Sequence, residues 1–126
     1  MGYQIFDLCR KYGAIITTGH EHAYSRTFTM SNFARQKIYN NNDKRKNVAY
    51  VGSGLSFDIV SGLGGQNMRN PKNGFEKNPW WTSKIFSSDG PGLLFCNFTL
   101  KHKASCYFKN IDNKILDKFV IINKNI

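Results

Sequence analysis

Cysteine is scarce in this chain: Cys9, Cys96 and Cys106 are the only three in 126 residues. They are too few and too odd in number for a disulfide framework, and no two form a CxxC pair, so they set neither a scaffold nor a redox compartment. Histidine is equally sparse, with His20, His22 and His102. No run approaches the about 18 consecutive apolar residues of a spanning helix, which excludes that mode of membrane insertion. The opening MGYQIFDLCRKYG lacks the basic start and apolar core of a signal peptide. It reads instead as an amphipathic helix from the first residues, as expected of a chain that begins inside a larger domain.

Acidic residues are also few, eight against eighteen lysines and arginines, giving a formal charge of +10 and a pI near 9.7. Such a surplus attracts phosphates and other polyanions. A nucleic-acid interface needs that charge gathered on one face. Here the lysines are scattered, and the one tight cluster, Asp43 to Lys46, lies in an Asn-rich stretch that reads as a solvated loop. Nucleic acid is therefore not the expected partner. An apolar content of 40% with 14% aromatics excludes a disordered chain and supports one globular domain over 1–126.

What is present has a clear beginning and a clear end. Ile5, Phe6, Cys9 and Tyr12 recur at helical spacing, and Gly13 stands where a helix closes in a left-handed residue. AIITT, Ala14 to Thr18, is short, β-branched and bounded by glycines, the pattern of a buried strand. Helix followed by strand predicts an α/β unit, although nothing before the helix supplies a parallel neighbour. NVAYVGSG at Asn47 to Gly54 predicts a strand running into a glycine turn, and Leu55 to Gly92 reads mostly as loop. LLFCNFTL, ASCYFKN and ILDKFVII then predict an antiparallel three-strand meander. With Lys101 to Lys103 as a three-residue turn, Leu100 faces Ala104, Phe98 faces Cys106 and Cys96 faces Phe108, making one face apolar and assigning both cysteines to packing.

The segment between helix and loop carries the chemistry. In IITTGHEHAYSRT, His20 and His22 are two apart, directly beyond a strand and a glycine. On extended backbone they share a face about 6.6 Å apart, a spacing that suits one imidazole on each of two metal ions. Two histidines in a polar loop bonded only to water are the alternative, since HxH is short and a catalytic metal site takes three or more protein ligands. Arg26 is a candidate phosphate donor or a structural partner that fixes the loop. Trp80 and Trp81, in NPWWTS, face opposite ways if extended, one packing inward and one rimming a pocket. Cys9 has no basic neighbour on its face to form a thiolate and is not a nucleophile candidate. GSGLSF and GLGGQN lack the endings of phosphate-cradling loops.

YGAIITTGHEHAYSRT resembles the last motif block of the calcineurin-like metallophosphoesterases, in their purple acid phosphatase branch, where helix and strand lead into Gly-His-x-His and Ala-Tyr-x-Arg. NVAYVGSGLS is similar to the strand and Gly-Ser-Gly turn that follow, and the last three runs are similar to the closing strands. The resemblance implies the C-terminal part of a β-sandwich flanked by helices, of α/β class, with His20 and His22 each binding one of two metal ions of the Fe, Zn or Mn class. It implies a phosphate ester substrate and phosphomonoester hydrolysis by the complete domain. The family's Asp-x-His, Gly-Asp and Gly-Asn-His blocks do not occur in this sequence, so the expected partner is the missing N-terminal half of the domain and the chain alone is expected to be inactive. The competing expectation is a non-catalytic basic module that binds polyanions or nucleic acid.

Overall fold

The computed structural model describes residues 2–40, 47–65, 67 and 79–125. One helix, α1 (Gln4–Tyr12), ends as its sequence dictates: Gly13 is left-handed at φ 69°, and its N–H donates to the Arg10 carbonyl. A Cβ on Gly13 would lie 2.7 Å from the Gly52 backbone, so two glycines let the helix terminus and a distant turn touch. Among the described residues ten strands follow: β1 (Ile16–Thr18), β2 (Tyr24–Thr27), β3 (Met30–Asn32), β4 (Lys37–Ile38), β5 (Val48–Val51), β6 (Asp58–Ser61), β7 (Thr82–Phe86), β8 (Gly92–Leu100), β9 (Lys103–Asn110) and β10 (Ile115–Asn123).

The strands make two four-stranded sheets, ordered β1-β6-β2-β7 and β5-β10-β9-β8, and a small β3-β4 hairpin. β1 pairs parallel with β6, and β5 pairs parallel with β10; the other pairings are antiparallel. The expectation of an α/β sandwich flanked by helices is corrected. Of the described residues, half are in strands and 9% in one helix. The physical reason lies in the sequence, where only the first thirteen residues carry a 3.6-residue apolar period. No residue of α1 is buried, so the helix does not cover a sheet face in the manner of an α/β layer.

Two sheets packed face to face form the core. Alternate residues of each strand turn inward: Tyr24 from β2, Ile59 from β6, Ala49 and Val51 from β5, Cys106 and Phe108 from β9, and Phe119 and Ile121 from β10. Phe108 meets Tyr24 at 4.8 Å and Phe86 at 5.1 Å between ring centroids, and Phe57 meets Phe119 edge-on at 6.1 Å. Phe86 is partly buried; each of the fully buried rings Tyr24, Phe57, Phe108 and Phe119 stabilises the fold by roughly 1.5–3 kcal/mol.

Two short strands interrupt the mostly loop-like stretch, and the register expected of the closing hairpin is corrected. The stretch Leu55 to Gly92 contains β6 and β7, and β6 supplies β1 with its parallel neighbour from downstream rather than from upstream. The β8-β9 register also differs. A two-residue turn pairs Leu100 with Lys103, a shift follows between Asn97 and Leu100, and Cys96 faces Cys106 directly. The two form a disulfide, not a diagonal packing pair, and Phe98 is exposed instead of joining the core. The irregularity absorbs the offset that an unbroken ladder would impose.

Candidate functional site

The histidine loop begins where β1 ends. Gly19 leaves the strand, residues 20–23 bend, and β2 starts at Tyr24. The Ala23 N–H donates to the Glu21 carbonyl at 2.8 Å, closing a three-residue turn, so the extended geometry behind the shared-face argument does not hold. The turn is held from below by Gly62, whose N–H donates to the Ala23 carbonyl at 2.9 Å. A Cβ at position 62 would fall 1.7 Å from the Glu21 carbonyl oxygen and 2.6 Å from that of Gly19. Only glycine permits this approach.

The two imidazoles have different settings. His20 is exposed and His22 half-buried. His22 Nδ1 lies 2.5 Å from the Asn67 carbonyl oxygen. A carbonyl can only accept, so Nδ1 donates the proton, and in the neutral ring Nε2 presents its lone pair. That is the arrangement by which outer partners orient metal-binding imidazoles. The residues present thus fit part of a metal site, one imidazole with a fixed tautomer beside a second that is accessible. They do not complete one. Among the described residues, no three His, Cys, Asp or Glu side chains gather in a group that could hold an ion.

Tyr24 and Arg26 lie in the core between the sheets. Arg26 is 1% exposed and grips Asp117 of β10 with both arms, Nε to Oδ2 at 2.9 Å and Nη2 to Oδ1 at 3.0 Å. The Tyr24 hydroxyl donates to the same Oδ2 at 2.7 Å, and the guanidinium lies 4.0 Å from the Phe119 ring centroid. Burial, with the Asp117 charge beside it, pushes the Tyr24 phenol well above its ordinary range, so it stays a donor. Of the two roles weighed for Arg26, the structure assigns the structural one: it ties β2, directly after the histidine loop, to β10 of the opposite sheet.

Trp80 and Trp81 do not divide into an inward and an outward ring. Both line one cavity of about 210 Å3, with Tyr3 and Phe6 of the helix region, Phe33 and Asp58. Asp58 Oδ1 is buried with no hydrogen-bond partner among the described residues. Desolvation pushes its pKa up to about 6, opposed only by the Ile59 backbone N–H. Sequence reasoning passed over Asp58 because it matches no metal-binding motif. The signal available was its alternation with Phe57 and Ile59, which places an acid on the outer face of a strand. The basic cluster at Asp43 to Lys46 lies outside the described residues. No helix among the described residues is long and apolar enough to cross a membrane. No family model, curated protein or solved structure matches this chain.

Proposed function

We propose that this chain supplies the His20 and His22 wall of a binuclear-metal phosphoesterase centre, whose carboxylates and remaining imidazoles come from polypeptide outside these 126 residues. The observation that carries the reading is the placement of the histidine loop. It follows the carboxyl end of β1, which pairs parallel with β6, and its backbone is locked there by Gly62. Among the described residues β1 is an edge strand with β6 on one side only, and Thr17 and Thr18 are exposed, which leaves room for a further strand beside the loop. Ile5, Leu8 and Tyr12 of α1 are exposed as well, an apolar surface suited to being covered.

When bound, paired metal ions hold phosphate oxygens as Lewis acids and lower the pKa of a bound water. In this chain His22 offers Nε2 with its tautomer set by the Asn67 carbonyl, and His20 offers a ring open to solvent. Neither histidine serves as the acid or base of the reaction while ligating. The test is paramagnetic titration of the purified chain. Mn2+ is expected to broaden the ring resonances of His20 and His22 before that of His102, with the effect lost in the His20→Ala, His22→Ala double variant. Phosphatase turnover of p-nitrophenyl phosphate is expected to be negligible with or without metal. Broadening spread evenly over all three histidines would refute the metal role, and metal-stimulated turnover by the lone chain would refute the need for outside ligands.

A further inference from the structure

We propose that the aromatic cavity over Asp58 is a binding site for a small alkylated ammonium cation of the choline type. This does not rest on the histidine reading. Asp58 starts β6 and the histidine loop touches its far end at Gly62, so the two features stand about 10 Å or more apart along the strand at roughly 3.3 Å per residue.

The walls and floor of the cavity select the ligand by elimination. Tyr3, Phe6, Phe33, Trp80 and Trp81 make the lining aromatic, and among the described residues Asp58 is the only charged one on it, in a chain with a surplus of ten positive charges. An anion would meet a carboxylate in a partly desolvated site and is excluded. A neutral apolar ligand would leave the carboxylate without a counter-charge, since Asp58 Oδ1 is already out of contact with water and has no hydrogen-bond partner among the described residues. A primary ammonium brings three N–H donors, each of which needs an acceptor once buried, on a lining that is mostly rings and the Met30 side chain. A methylated ammonium needs no acceptors. Its methyl groups pack on the rings, its charge is attracted by their π faces, and the carboxylate supplies the counter-charge. The volume of about 210 Å3 is below the usual range for drug-sized ligands and fits a head group.

The chain has two tryptophans, and both line this cavity, so intrinsic tryptophan emission reports on it directly. The 126-residue protein is titrated with choline, tetramethylammonium and 3,3-dimethylbutan-1-ol, the uncharged carbon isostere of choline, at constant ionic strength. Choline and tetramethylammonium are expected to change the emission saturably, and the alcohol to bind at least tenfold more weakly. Asp58→Asn is expected to weaken choline at least tenfold while leaving the alcohol unchanged. Trp80→Leu, at a half-exposed position, is expected to weaken both cations with Trp81 as the remaining reporter. Equal binding of choline and alcohol, an Asp58→Asn variant with undiminished choline affinity, or no saturable response to either cation would each overturn the proposal. Co-sedimentation of the choline-binding protein with phosphatidylcholine vesicles assigns the head group to a lipid; its absence assigns it to a free solute, and both uphold the cation site.

Discussion

Replacing Asp58 with Asn is expected to stabilise the protein at neutral pH and leave it unchanged in acid. The folded chain holds the Asp58 proton to about pH 6, against an ordinary value of 3.8, because burial penalises the charged carboxylate. A group that binds its proton more tightly when folded favours folding fully below the unfolded value, and that advantage is lost as pH rises through the folded value. Between 3.8 and about 6 the wild-type protein therefore loses stability from this group, and above that the loss is constant. At 1.36 kcal/mol per tenfold change in proton affinity, the full loss is about 3 kcal/mol. Asp58 is only partly buried, and solvent screening brings the expected value to about 1–2 kcal/mol. Asn keeps the backbone N–H bond to Thr27 and removes the titration. Urea unfolding of both proteins, followed by tryptophan emission from about pH 3.5 to about pH 8, gives the difference directly, and groups common to both cancel. A difference that is flat across this range, or that favours wild type at neutral pH, would refute the desolvation argument.

Gly62→Ala drives a Cβ into two backbone carbonyls, so it is expected to cost about 1–3 kcal/mol in urea unfolding and to weaken the Mn2+ broadening of His22; unchanged broadening would show that the loop does not depend on this contact. Thiol titration of the denatured protein is expected to count one free thiol, Cys9, before reduction and three after it. Reduction should lower unfolding free energy by about 2.7 kcal/mol, the chain-entropy value for a closure spanning ten residues. Asp117→Ala leaves the Arg26 guanidinium buried beside Phe119 without its counter-charge and is expected to cost about 3–5 kcal/mol, read as a lowered thermal midpoint. Amide exchange is expected to be fast in α1 and β1 and slow in β9 and β10, since the helix buries no residue while β9 and β10 carry the core.

How far the sequence discloses this structure depends on whether a feature is local. The helix and its Gly13 terminus are local, and the pattern places them correctly. So are the closing runs, because β-branched and aromatic residues alternate over eight or nine positions in β8, β9 and β10. Their register is not local. The shorter turn at Leu100–Lys103 and one irregularity between Asn97 and Leu100, one residue each, move Cys106 from Phe98 to Cys96, and no residue in NFTL announces it. β6 and β7 are short and read as loop, since DIVS begins with a charge and TSKIF with two hydroxyls. The partner of Arg26 lies 91 residues away on β10, where a lone aspartate in ILDKFVII gives no sign of facing inward. The cavity is less legible still, since its rings come from positions as far apart as Tyr3 and Trp81 and meet only through tertiary packing.

The histidine loop and the core explain each other. The β5-β10-β9-β8 sheet has a disulfide and a complete inner face, and through Asp117 it fixes Tyr24 and Arg26 within four residues of His22. From the other side Gly62 fixes the backbone at Glu21. Contacts this specific fix the loop backbone at Glu21 and Ala23, and the Asn67 carbonyl orients the His22 ring. Preorganisation of that kind lowers the ordering cost of binding an ion or a complementary chain. The exposed surface is distributed accordingly: β1 and α1, the elements leading into the loop, carry the open edge and the uncovered apolar residues, while β2, the element leading out, is buried along its length.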